Sequence, residues 1–135
     1  VTSQRAIDTN VLVRIAVADD AQQIKAIERL FASLAPEETL LIGLPVILET
    51  HWVLGRYYKC SIDVIMDFFQ AVLERREMEV ADFEILANTI EVVRRTKADF
   101  EDALIAECNR FAGCEATLTF DRSAARKISG MELLA

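Results

Sequence analysis

The sequence predicts an α/β domain. Three short apolar or β-rich runs, at residues 5–7, 39–44 and 115–120, alternate with segments whose apolar residues recur every three or four positions. Each run leads directly into a turn or capping residue: Asp8, Pro45 and Asp121. Short apolar strands separated by helices call for a parallel sheet with helices on both faces.

In chain order, residues 5–7 read as the end of a short buried strand. The dense apolar run VLVRIAV after the Asp8–Asn10 corner reads as a buried helix. Residues 20–34 place Ile24, Ile27, Leu30, Phe31 and Leu34 on one face of an amphipathic helix. TLLIGL, 39–44, is a second buried strand. Pro45, with its fixed φ and missing N–H, suits the first turn of the helix PVILETHWVLGRYY. Ser61 caps IDVIMDFFQAVLE, and Asp82 or Phe83 begins a helix running to about Arg95. Residues 99–112 form the next helix, stopped by Gly113. EATLTF is a third buried strand ending at Asp121; a short helix near 123–128 and a strand near 131–134 close the chain. The predicted order is β-α-α-β-α-α-α-α-β-α-β, with an unusually helical middle.

A chain of 135 residues is sized for one domain, 1–135, with its own core. No apolar run approaches the roughly 20 residues that span a bilayer, and VTSQRAID lacks a basic-then-apolar signal pattern. Cys60, Cys108 and Cys114 form no C-x-x-C pair, which predicts reduced thiols and a cytoplasmic location. His51 is the sole histidine. Any bound metal must therefore be held by carboxylate oxygens, the ligands of Mg²⁺ or Mn²⁺ rather than of zinc. The balance of 15 basic and 22 acidic residues, a net −7, argues against a protein that grips nucleic acid over its whole surface. It leaves room for an acidic site that recruits metal and touches its substrate locally.

The acids give that idea residues. Asp8 and Asp121 each follow a strand, the edge at which open α/β sheets bind ligands. Glu49 lies one turn into the helix after the second strand, with Val46 and Val53 at i−3 and i+4, so it is expected on or beside an apolar face. Asp99 and Asp102 share a face at the start of a later helix. Each has an ordinary explanation: Asp8 or Asn10 as a cap, Asp99-x-x-Asp102 as a capping box, Asp121 as a turn, Glu49 as the partner of a base such as Arg56. Gathered at one end of a sheet, however, carboxylates repel and raise one another's pKa values, and a divalent cation reverses that penalty. Such a cluster suits phosphoryl chemistry without a side-chain nucleophile.

AIDTNVLV, LPVILETHWVL, ADFEDALIA and TLTFDR, in this order over nearly the whole chain, resemble the PIN-domain ribonucleases and, within them, the VapC-like toxins of bacterial toxin–antitoxin pairs. The resemblance implies a three-layer α/β/α sandwich with a short, mainly parallel central sheet. It implies that Asp8, Glu49, Asp102 and Asp121 are the catalytic, metal-binding acids, using Mg²⁺ or Mn²⁺. Asp99 matches an additional acid of ADFEDAL-type members, and Thr9, Asn10 and Thr119 match polar positions that hold the acids in place. The implied reaction is endonucleolytic hydrolysis of single-stranded RNA by a homodimer silenced by a cognate antitoxin. Trp52, Tyr57, Tyr58, Phe68 and Phe69 are candidates for those interfaces, with the core as the alternative; Arg122, Arg126 and Lys127 are candidates for phosphate contacts. Two other readings are a PIN nuclease of RNA processing outside a toxin pair and a non-catalytic PIN-like scaffold. A haloacid-dehalogenase-like phosphatase, suggested by D-T-N-V-L after a strand, would need a second Asp where Asn10 stands.

Overall fold

The computed structural model describes residues 4–135. The first three, part of the stretch read above for a signal pattern, lie outside the described residues. The chain gathers into two compact units, one ending at Asp82 and the other beginning at Phe83. Both are built from helices and short parallel strands, the α/β class expected.

In the first unit the elements run β1 (Arg5–Ala6), α1 (Thr9–Ala16), α2 (Ala21–Ser33), β2 (Leu40–Ile42), α3 (Leu44–Arg56), α4 (Ile62–Glu74) and β3 (Met78–Val80). The strands form a parallel sheet in the order β1-β2-β3, with Arg5 opposite Leu40 and Leu40 opposite Met78. Two helices make each crossover, since parallel neighbours need a long connection. The central strand is the most enclosed of the three: Leu40 and Ile42 are almost fully buried.

Two expectations fail here. Residues 5–7 are buried only at Ile7, because β1 is an edge strand whose Arg5 and Ala6 face solvent. β3 was not predicted at all. It is three residues long, and Glu79 stands exposed between buried Met78 and Val80, so its period-2 pattern is too short to stand out from the charged ERRE before it.

The helices follow their sequence signals. Asp20 caps α2, accepting from the Gln23 amide, and Ser61 caps α4, accepting from Val64. Pro45 lies in the first turn of α3. The apolar face of α2 is only half-buried, with no residue fully enclosed. That of α4 supplies the core through Ile65, Met66, Phe69 and Val72. Phe69 has no exposed surface; truncating it to Ala would cost about 3–5 kcal/mol.

The second unit runs α5 (Phe83–Thr96), α6 (Phe100–Phe111), β4 (Thr117–Thr119), α7 (Arg122–Lys127) and β5 (Met131–Leu133). Asp82 takes a left-handed φ of 55°, so α5 begins at Phe83. The α5 and α6 helices pack together, with Ile85, Leu86 and Ile90 on one and Phe100, Ala103 and Leu104 on the other buried. Gly113 ends α6 with a φ of 93°, the conformation a glycine tolerates. β4 and β5 pair in parallel across α7, with Thr117 opposite Met131. The buried strand expected at 115–120 is instead open: Leu118 is 58% exposed, because a two-stranded sheet has only edges.

Candidate active site

Three of the acids are helix caps. Asp8, Asp99 and Asp121 occupy the N-cap positions of α1, α6 and α7 with extended backbone. Each uses its Oδ1 to accept an amide N–H: from Thr9 at 2.7 Å, from Asp102 at 3.1 Å and from Ala124 at 3.0 Å. This satisfies donors that a helix start leaves orphaned and sets a negative charge at the positive end of the helix. The capping explanation thus holds for Asp8 and Asp99, and Asp121, read from sequence as a turn residue, is itself the cap of α7. Capping occupies one carboxylate oxygen in each; the other makes no hydrogen bond among the described residues.

In the first unit, Glu49 stands on α3. It is exposed, not set on an apolar face, because the helix turns Ile47, Thr50 and Leu54 inward instead. Its Oε1 accepts a hydrogen bond of 2.5 Å from the hydroxyl of Thr9, a residue only 8% exposed at the start of α1. That bond ties α1 to α3. Asp8 and Glu49 line one cavity of 440 Å³, together with Asn10, Arg14, Tyr57 and Tyr58.

Sequence reasoning missed Arg14. It sits in the last turn of α1 as an ordinary C-terminal base, and only the fold shows what it meets. Its Nε donates to Gln23 Oε1 at 2.7 Å, and one Nη donates to Asp19 and, at 3.4 Å, to the Tyr58 hydroxyl. Tyr58 in turn donates to Asp19 Oδ2 at 3.2 Å. Of the aromatic residues offered for interfaces, Phe69 is core and Phe68 half-buried, whereas Trp52 and Tyr57 are 50% and 76% exposed.

In the second unit the acids press on one another. Burial, and then the charges of Asp99, Asp121 and Glu101, hold the Asp102 carboxyl above the ordinary aspartate range. Asp102 itself lies in the first turn of α6, half-buried. Thr119 Oγ1 accepts the Asp121 amide at 3.0 Å, fixing the turn from β4 into α7. Arg122 and Arg126 are exposed, and Lys127 bonds the Lys97 carbonyl at 3.4 Å.

Among the described residues no three His, Cys, Asp or Glu side chains form a ready-made metal cage. Mg²⁺ does not need one, since it keeps several waters and binds through one or two carboxylates plus substrate phosphate. The donor set fits such an ion: hard oxygens, one left over on each capping Asp, and around Asp102 an excess of negative charge that a cation would relieve. No described helix is long and apolar enough to cross a membrane.

No curated protein sequence matches the chain. The family model for the PIN domain matches residues 6–129, from the last residue of β1 through α7, with every acid described above. PIN domains are generally nucleases. With its α/β order of helices and short parallel strands, the chain belongs to the PIN domains, a nuclease fold.

Proposed function

We propose that this protein is a metal-dependent endoribonuclease that hydrolyses phosphodiester bonds of single-stranded RNA, and that it acts as the toxin of a toxin–antitoxin pair. In this reading it is a cytoplasmic homodimer silenced by a cognate antitoxin, and its single PIN-like domain spans 1–135. The observation that carries it is Asp102, a half-buried carboxylate crowded by Asp99 and Asp121, in a chain of the PIN family.

Asp8, Glu49, Asp102 and Asp121 hold Mg²⁺ or Mn²⁺. When bound, such an ion lowers the pKa of a water and offsets charge on the attacked phosphate and the leaving oxygen. The chain's own residues do the positioning. Thr9 holds one Glu49 oxygen and leaves the other exposed. The α1, α6 and α7 amides fix one oxygen each of Asp8, Asp99 and Asp121, so that the second has a defined direction. Asp99 sets a like charge beside Asp102 from the helix N-cap, and Thr119 sets the backbone of Asp121. The toxin role rests on the VapC-like character of AIDTNVLV, LPVILETHWVL and TLTFDR.

The test is cleavage of a mixed RNA pool by the purified protein with Mg²⁺ or Mn²⁺, beside an EDTA control, together with induction in a bacterial host. Metal-dependent cutting and growth arrest, relieved by the gene product encoded just upstream, are the expected results. Cutting without arrest would leave a nuclease of RNA processing; no cutting, with no metal binding by calorimetry, would leave a binding scaffold.

A further inference from the structure

We propose that the cavity beside Asp8 and Glu49 is a base-reading subsite. It takes the unstacked base of one nucleotide of single-stranded RNA, with Tyr57 as the stacking surface and Arg14 as the reader of the base edge. This rests on the ribonuclease reading above and adds to it the residues that choose where the strand is cut.

Three features of the first unit support it. The cavity, at 440 Å³, falls within the roughly 300–1,000 Å³ range typical of small-molecule sites, and it is continuous with two of the proposed metal-binding acids. A strand passing those acids has a neighbouring nucleotide to place. Next, Tyr57 caps the C-terminus of α3 with its ring 76% exposed. It meets Tyr58 edge-on, with ring centroids 4.9 Å apart and planes at 69°, an arrangement that holds the ring steady and leaves it uncovered. Exposed aromatic faces of this kind are what splayed RNA bases stack on.

The last feature decides between gripping a phosphate and reading a base. Arg14 is the cation among the cavity-lining residues, and it is already paired. Asp19 neutralises it, while Gln23 and Tyr58 hold it in place, and its side chain is only 17% exposed. The bonds formed use Nε and one amino group; the other amino group takes part in none of them. A neutralised, immobilised guanidinium contributes little net attraction to a phosphate. It does present fixed donors, which is how Arg distinguishes the acceptors on base edges.

The experiment maps cut sites in a random-sequence RNA pool, then measures kcat and KM on a short oligonucleotide carrying the preferred site. Tyr57→Ala should raise KM about tenfold, the loss of one stacked base, with kcat within about twofold of the parent. Tyr57→Phe should restore the parent KM. Arg14→Lys should flatten the base preference at one position beside the cut and leave the salt dependence of KM unchanged. Tyr57 is exposed, so its variants test the idea even if Arg14→Lys fails to fold. A parent enzyme that cuts RNA, with KM and preference untouched by these variants, would overturn the subsite alone. A shallower salt dependence of KM for Arg14→Gln would make Arg14 a phosphate contact and also overturn base reading. A parent protein that neither cuts nor binds RNA would sink the subsite and the ribonuclease reading together.

Discussion

The two units carry acids of the same kind in opposite settings. In the first, Glu49 receives a hydroxyl donor from buried Thr9 and shares a shaped, partly aromatic cavity with Asp8. In the second, burial and the like charges of Asp99, Asp121 and Glu101 bear on Asp102, and its proton is held more tightly as a result. Shape is concentrated in one unit and electrostatic tension in the other. Crowding of like charges is unfavourable; in the proposed reading a cation offsets it in the second unit, and the cavity of the first takes the base.

The largest expected effects test whether both settings serve one reaction. Asp8→Asn and Asp102→Asn should each reduce metal-dependent cleavage by more than about 100-fold, since loss of an outer-shell partner already costs about 10–100-fold. Both should remain folded by circular dichroism, because Asn caps α1 about as well as Asp and Asp102→Asn removes a charge crowded by its neighbours. If Asp8→Asn cut normally, the first unit would keep its cavity and lose its place in catalysis.

A smaller effect probes the neutral donor in the first unit. Thr9→Val preserves the shape of the side chain but removes the hydroxyl on Glu49, and about a tenfold loss of kcat with little change in melting temperature is expected. A fall in stability without a fall in rate would assign Thr9 to packing between α1 and α3.

Asp99 separates capping from charge. Asp99→Ala removes the bond to the Asp102 amide and should cost about 1 kcal/mol in urea unfolding. Asp99→Asn keeps the cap and removes the charge, so it should retain stability but lose part of the cleavage rate. Parent-level cleavage by Asp99→Asn would reduce Asp99 to a cap.

The smallest effect is in the pH dependence of stability. The Asp102 carboxyl is raised in the folded state, so folding binds its proton more tightly than the unfolded chain does. Its stabilising contribution is complete below the ordinary aspartate value and is lost as pH rises through the raised value. Asp102→Asn should therefore melt higher than the parent at neutral pH, with the gain shrinking on acidification. A gain independent of pH would exclude charge crowding as its cause.

Much of the fold was legible along the chain because its signals are local. Asp8, Asp20, Ser61, Asp99 and Asp121 are capping side chains whose partners lie within three residues. The hydrophobic spacing of α4 and α5 likewise belongs to single helices. The errors fall on the strands. β3 has three residues, too few for an alternating pattern to emerge, and the exposure of β1 and β4 depends on edge position, which no residue encodes alone.

The site divides in the same way. From the residues alone come the acids, the absence of a histidine-based alternative and the order of motifs that places the chain among PIN domains. The bond from Thr9 to Glu49, 40 positions apart, and the meeting of Arg14 with Tyr58, 44 positions apart, were decided only by the fold. So was the crowding of Asp102 by Asp121. A cap is a contact between neighbours in sequence and is written there. A cavity or a shifted carboxylate is made by elements that become neighbours only when their apolar faces are buried.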